Sequence, residues 1–270
     1  MTRAFGRVLG VGWSQANPNV ITRTPPPVAD DFQGPPLMHF LDSLACAPIG
    51  VCYPDAEMPK MDDRASLRRL YPDPASTTGR IHGSVYFSDA NGNPTHPMQG
   101  VNVVARRIDS GQPSRKYVAA AVSGFAFRGN AGNPVNGYLD ADGRPYDFFG
   151  SDDPALEGAF DLGGLDIPHD SSSATYQLSV ESVDANWAEG VGPYAPYQVE
   201  PSGSFRPVMV TIQPGGDVVQ DILMRGGAVA GTIPAAAART RLLLLCLRAE
   251  DGAGGFPGTA MPTGSSFRSR

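Results

Sequence analysis

The sequence predicts a mainly β protein: an antiparallel β-sandwich, preceded by a small helical and loop segment and followed by a disordered or truncated tail. Short stretches in which apolar and polar residues alternate recur between residues 79 and 224, and the clearest is 176–181. Glycine and proline are abundant, with 32 and 26 of 270 residues, and they separate those stretches as turns do. Many short strands joined by such turns are typical of a sandwich.

We divide the chain into a segment 1–74, a sandwich 75–226 and a tail 227–270 that has no recognisable pattern. Two helices are expected in the first segment. One covers residues 1–12 and ends at a glycine, and the other covers 61–71. The second helix has aspartates in its first turn, arginines near its end and a proline that stops it.

Seven strands are expected in the sandwich. The predicted strands cover 81–87, 101–106, 117–127, 159–162, 176–181, 208–212 and 218–224. Two long loops interrupt them and carry aromatic residues that can either form an edge for carbohydrate or protein or fix the loops to the sandwich. These aromatic residues are Tyr146, Phe148, Phe149, Trp187, Tyr194 and Tyr197.

Charge and hydropathy exclude two classes of partner. The net charge of -6 argues against nucleic acid, since binding to phosphates requires a basic surface. No stretch approaches the ~20 apolar residues that a membrane-spanning helix needs, and the longest apolar run is 242–247. The first ten residues have no apolar run long enough for a secretory signal.

The chain has 3 cysteines, and two of them are close together. Cys46 and Cys52 lie six residues apart in a turn-rich stretch, so they can form a disulfide that closes a short loop or remain two separate buried thiols. Such a short loop limits the stabilisation to about 2 kcal/mol. Cys246 has no evident partner.

Residues 3–13 have the spacing of a zinc-protease motif whose chemical groups are replaced. That motif reads His-Glu-x-x-His-x-x-Gly-x-x-His, and it works because a helix places two histidines on one face with the glutamate beside the metal-bound water. Here the three ligand positions hold Arg3, Arg7 and Trp13, and the general-base position holds Ala4. Arginine stays protonated and indole has no lone pair to donate, so this segment cannot hold zinc as the motif does.

Segment 1–74 resembles the end of a matrixin-like metzincin metalloprotease domain of the kind found in bacterial secreted proteins. The residues that carry the resemblance are the helix remnant 5–10, the stretch 36–39, which is similar to a Met-turn, and 62–71, which is similar to the last helix of that domain. The resemblance implies that Met38 lies beneath the former metal site and that the protein is extracellular or at the cell surface. It also implies zinc as the cofactor of the family, although the substituted ligands lead us to expect no cofactor here.

Residues 79–224 resemble a carboxypeptidase-regulatory-like β-sandwich of the transthyretin or CNA-B type. The pattern of that family, Gly-x-Phe-x-Leu-x-Gly-Leu followed by Tyr-x-Leu-x-Val, corresponds to 158–165 and 176–180, with an insertion at 128–157. The resemblance implies a spacer, an adhesion unit or an accessory domain of a secreted enzyme.

Two further groups of residues could hold a metal ion, but simple solvated carboxylates explain each of them better. His39 has Asp42, Asp55 and Glu57 near it in sequence, but one imidazole does not make a tetrahedral zinc site. A calcium loop is suggested by the acidic run 140–147, yet Arg144 and Ser151 occupy positions at which an EF-hand needs ligands, which favours a polar hairpin turn. The acidic residues of this region are Asp140, Asp142, Asp147, Asp152, Asp153 and Glu157.

No nucleophilic site can be recognised. Ser123 and Gly124 form only half of a Gly-x-Ser-x-Gly elbow, and we expect His82, His96 and His169 to be surface histidines. No glycine-rich phosphate loop opens a helix.

Two functions follow. In the first, the chain is a non-catalytic extracellular protein, a degenerate metalloprotease fragment with a sandwich that acts as a spacer or binds extracellular protein or carbohydrate through its loops. The alternative is a fragment of a secreted zinc metalloendopeptidase whose active site is incomplete in this chain. Because the motif lies at the very start, we also expect a fragment or a late start codon, and an out-of-frame origin would account for the tail.

Overall fold

The computed structural model describes residues 2–12, 14–17, 19–22, 26–38, 55, 58–72, 77–89, 91–127, 151, 153–181 and 206–225. The described part is mainly β and forms two stacked sheets, so the predicted fold class is confirmed. The helices are α1 Thr2–Val8, α2 Asn19–Thr22 and α3 Met61–Leu70. The strands are β1 Thr78–Ser88, β2 Pro94–Pro97, β3 Asn102–Asp109, β4 Gln112–Val122, β5 Ala159–Asp166, β6 Ala174–Glu181, β7 Val208–Ile212, β8 Asp217–Val219 and β9 Ile222–Arg225.

Strand β1 is the centre of the first sheet. It pairs antiparallel with β5 and β2 along one side and parallel with β8 and β9 along the other. The second sheet is antiparallel throughout, in the order β4-β3-β6-β7. Strands β4 and β5 are therefore edge strands, one in each sheet, with a free side that other parts of the molecule can cover.

The core lies between the two sheets. Strand β6 supplies Tyr176, Leu178 and Val180 from alternate positions, as the period of two in its sequence predicts. Ile81, Leu165 and Ile212 face them from other strands and are fully buried. Burial of these apolar side chains is the main stabilising term of the fold.

The prediction of a single strand over 218–224 is wrong. It is broken into β8 and β9 at Gln220 and Asp221. The Gln220 N–H donates to the carbonyl of His82 at 2.8 Å, and the Asp221 carboxylate accepts from Ser84 N–H at 2.9 Å. A side chain thus replaces a backbone carbonyl in the ladder, which alternation of apolar residues does not reveal.

The outer face of the second sheet is covered by residues that precede α3. Ala16 packs on Val104 and Val118, so β3 is buried on both faces. Arg115 reaches the buried carboxylate of Asp31 at 3.2 Å. This second layer explains why β3 begins as a nearly continuous buried run rather than an alternating one.

Helix α3 closes part of the opening between the two edge strands. Met61 and Ala65 belong to the same core cluster as the sandwich residues. Arg64 forms an ion pair with Asp166 of β5 at 2.6 Å, and Arg68 binds the same carboxylate. The boundary between 74 and 75 stays a prediction, and the elements on its two sides share one core where they meet. The tail 227–270 lies outside the described residues.

Candidate functional site

Helix α1 holds three of the four residues that align with the ligand and base positions of the zinc motif. Ala4 and Arg7 are exposed, and Arg3 belongs to the same helix. The helix ends before Gly10, whose φ of 83° is the left-handed conformation that a glycine adopts readily at a helix end. The fourth position, Trp13, lies outside the described residues.

Met38 lies directly against the backbone of α1. It is 2% exposed, and a Cβ added at Gly6 would be 2.6 Å from its sulfur. Its carbonyl also accepts from the N–H of Ser14 at 2.9 Å. The stretch that contains Met38 is therefore placed beneath the helix that carries Arg7.

Asp63 fixes that stretch to helix α3. Its buried carboxylate accepts hydrogen bonds from the backbone N–H of Leu37 at 2.7 Å, of Met38 at 2.8 Å and of Lys60 at 2.8 Å. Burial raises the pKa of Asp63, and the three hydrogen bonds oppose that rise by favouring the charged form. The prediction from sequence gave this residue only a role in the first turn of the helix.

Asp62 fixes α3 to the sandwich. It is 4% exposed, and its carboxylate accepts from the N–H of Ala120 in β4 at 2.7 Å and from the hydroxyl of Ser14. Burial raises the pKa of Asp62 to about 6, and the neighbouring charge of Asp63 adds to that rise. Two adjacent aspartates at a helix start suggested caps; their burial depends on contacts with residues 14, 37, 38 and 120, which a local pattern does not show.

A cleft of about 930 Å³ lies beside these groups. One side is formed by α1, the residues that follow it and α3, and the other by the edge strands β4 and β5. Apolar side chains dominate the strand side, and small ones are frequent. They include Ala119, Ala121, Ala126, Ala155, Phe160 and Leu162.

Charged groups surround the cleft. Arg80 forms an ion pair with Asp161 at 2.9 Å, and its guanidinium also lies 3.2 Å from Asp217. His82 lies 3.0 Å from the carboxylate of Asp217. Arg69 donates one hydrogen bond, to the backbone carbonyl of Asp161 at 3.3 Å. Arg7 lines the opposite wall.

The other predicted residues are not brought to this cleft. Ser123 is buried, donates to the carbonyl of Met98 at 2.7 Å and accepts from Val101 N–H at 3.0 Å, so it holds a turn. His96 and His169 are exposed. Asp153 caps the 3-10 turn Pro154–Leu156 by accepting from Ala155 N–H at 2.9 Å.

Several predictions fall on residues outside the described part and are not tested. They concern the possible disulfide, the residual metal site, the acidic loop and the aromatic loop residues: Trp13, His39, Asp42, Cys46, Cys52, Glu57, Asp140, Asp142, Asp147, Asp152, Tyr146, Phe148, Phe149, Trp187, Tyr194, Tyr197 and Cys246. Among the described residues, no three His, Cys, Asp or Glu side chains are grouped to hold a metal ion. None of the helices in the described ranges is long and apolar enough to cross a bilayer.

Comparison with known proteins does not assign the chain to a family. No family model matches the chain, and no curated protein matches its sequence.

Proposed function

We propose that the chain is a non-catalytic extracellular protein in which a metzincin-like helical remnant and a β-sandwich together form a binding module. The observation that carries this proposal is Arg7. Its guanidinium occupies a helical position at which the motif requires an imidazole that donates an electron pair.

The surroundings of α1 support the proposal. Met38 lies beneath the helix, and Asp63 holds the backbone N–H groups of Leu37 and Met38. These contacts support the proposal, because the resemblance implies a methionine beneath the helix, while the groups that would perform hydrolysis are replaced. An extracellular location rests on the resemblance alone.

The cleft favours binding over a pure spacer function. A volume of about 930 Å³ lies within the range of small-molecule and peptide sites, and its apolar wall has a few charged groups at the margin. A spacer needs no such opening beside its core.

Proteolysis assays test this proposal. The purified chain is incubated with unfolded casein and with a quenched fluorescent peptide library, with and without EDTA, beside an active zinc protease as the positive control. We expect no EDTA-sensitive cleavage. Cleavage that EDTA abolishes would contradict the proposal and favour the zinc metalloendopeptidase.

A further inference from the structure

The cleft runs along the free side of β4, whose backbone orientation can be determined. The N–H of Ala120 points away from β3, because it donates to Asp62. The peptide groups of residues 120 and 122 therefore both face the cleft side, while Ala121 bonds to Val103 of β3.

Two of the four cleft-side groups of these residues are already used. The N–H of Ala120 is bound by Asp62, and the carbonyl of Val122 accepts from Phe125 N–H at 3.3 Å. The carbonyl of Ala120 and the N–H of Val122 have no partner among the described residues. An added antiparallel strand would need both the N–H and the carbonyl of one residue to be free. A parallel strand instead bonds to the carbonyl of Ala120, before Ala121, and to the N–H of Val122, after it.

Strand β5 presents donors from the other side. The carbonyl of Asp161 accepts from Arg69, and that of Ala159 accepts from Gly124 N–H at 2.8 Å. These two bonds show that residues 159 and 161 face away from β1, so their N–H groups point toward the cleft. The three carboxylates that also line the cleft already accept hydrogen bonds from the protein: Asp62 from Ala120, Asp161 from Arg80 and Asp221 from Ser84. Arg69 and the outward N–H groups of β5 therefore complement carbonyl and carboxylate oxygens of a ligand.

We infer that the cleft binds an extended acidic peptide, which adds to β4 as a parallel strand and places small apolar side chains against the partly buried Ala121. This inference rests on the proposed function and names its ligand class. Residues 159–163 of β5 line the cleft over a length of about 15 Å, which is the length of about five extended peptide residues. Strand addition to an exposed edge supplies affinity through backbone bonds, and Arg69 supplies the preference for an acidic side chain.

Binding of defined peptides tests the inference. The probes are acetylated and amidated hexapeptides in which valine and alanine alternate and one position carries glutamate; matched peptides carry lysine there. Affinity is measured by fluorescence anisotropy in the presence of EDTA. We expect the glutamate peptides to bind at least about tenfold more tightly than the lysine peptides, because Arg69 contributes a charge-assisted bond.

Two proline variants on opposite edges of the same sheet identify the binding strand. Val122→Pro removes the cleft-side N–H. Met209→Pro on β7 also removes an N–H that points away from its sheet: the outward turn of Ala120 fixes the alternation of ladder bonds from β4 to β7, which leaves Val208 and Val210, but not Met209, bonded to β6. We expect Val122→Pro to weaken binding about tenfold or more and Met209→Pro to leave it unchanged.

Amide hydrogen exchange on the unsubstituted chain gives a readout that does not depend on a variant that folds. Saturating glutamate peptide is expected to slow the exchange of the Val122 and Asp161 amides. Failure of every peptide to bind, binding of free glutamate alone, or equal affinity in Val122→Pro would overturn the inference and leave the non-catalytic proposal standing. Zinc-dependent cleavage of the peptides when EDTA is omitted would instead contradict the proposed function.

Discussion

Asp62 is a buried carboxylate that forms no ion pair with another described residue. Two hydrogen bonds, from Ala120 N–H and from the Ser14 hydroxyl, do not fully replace water, and Arg69 offers only a weak attraction at a distance. Since burial raises its pKa from 3.8 to about 6, the folded chain keeps a proton that the unfolded chain loses between those pH values.

The proton that Asp62 keeps in the folded chain makes stability depend on pH. The unfolded state binds fewer protons at this site between pH 4 and 6, so the contribution of Asp62 to stability falls as the pH rises through that window. Two pKa units correspond to up to about 3 kcal/mol at neutral pH. Asp62→Asn keeps an acceptor for Ala120 and a donor for Ser14, and it should raise the free energy of unfolding at pH 7.5 by up to that amount.

Urea unfolding at pH 7.5 and pH 4 measures this effect. The gain from Asp62→Asn should largely vanish at pH 4, where Asp62 is protonated in the folded chain. Asp166 acts in the opposite direction, because the bonds from Arg64 and Arg68 outweigh its burial and lower its pKa, so the informative quantity is the difference between variant and parent. Asp170→Asn, at an exposed site, is the control, and an equal gain at both pH values would refute the burial argument.

At the scale of elements, the junction of β8 and β9 with β1 depends on one close approach. A Cβ at Gly83 would lie 2.3 Å from the carbonyl oxygen of Gln220, which is too close for any atom pair that is not bonded. We expect Gly83→Ala to destabilise the chain by about 1–3 kcal/mol, because the backbone at Gln220, between β8 and β9, must move away from β1.

Thermal unfolding checks the role of Gly83. Gly12→Ala is the matched control, since an added Cβ there has no atom of the described chain within 4 Å. An unchanged melting temperature in Gly83→Ala would mean that β8 and β9 do not approach β1 as described.

How far the elements could be predicted depends on whether a local pattern determines them. Strand β6 alternates and was predicted almost to the residue, because one face meets the core and the other does not. Strand β2 has no apolar alternation and was missed. Helix α3 was found, but its buried residues are Met61, Asp62, Asp63 and Ala65, whereas the apolar side chains of Leu70 and Tyr71 are exposed.

The site was harder to predict than the fold, for the same reason. The spacing of residues 3–13 and the position of Met38 are sequence features, whereas the contact of Met38 with Gly6 of α1 is seen only in the structure. The Met-turn interpretation stays a prediction. The cleft depends on how β4 and β5, which are about 40 residues apart and belong to different sheets, lie beside α3. Hydrophobic periodicity contains no information about that arrangement.

At the scale of the molecule, the helical layer and the sandwich are stabilised together. Met61 and Ala65 of α3 lie in the same cluster as Leu178, which is 0% exposed. Leu178→Asp would bury an unpaired charge at a cost of several kcal/mol, so both parts should lose their structure together.

Calorimetry and circular dichroism measure this cooperativity. The parent chain should unfold in one cooperative transition on heating. Leu178→Asp should already be unfolded at 25 °C and should therefore show no such transition. Gln177→Asp, one position along β6 on the opposite face, should cost about 1 kcal/mol or less. An unaltered transition in Leu178→Asp would show that the strand register is different.

Under the proposed function, the helical layer that resembles a metzincin domain serves as a scaffold and has no metal chemistry. The most direct measurement is the zinc content of the purified chain by elemental analysis, after equilibration with excess zinc chloride and gel filtration. We predict substantially less than one zinc per chain, because arginine at positions 3 and 7 cannot donate an electron pair. One zinc retained per chain, and lost on treatment with EDTA, would contradict the account.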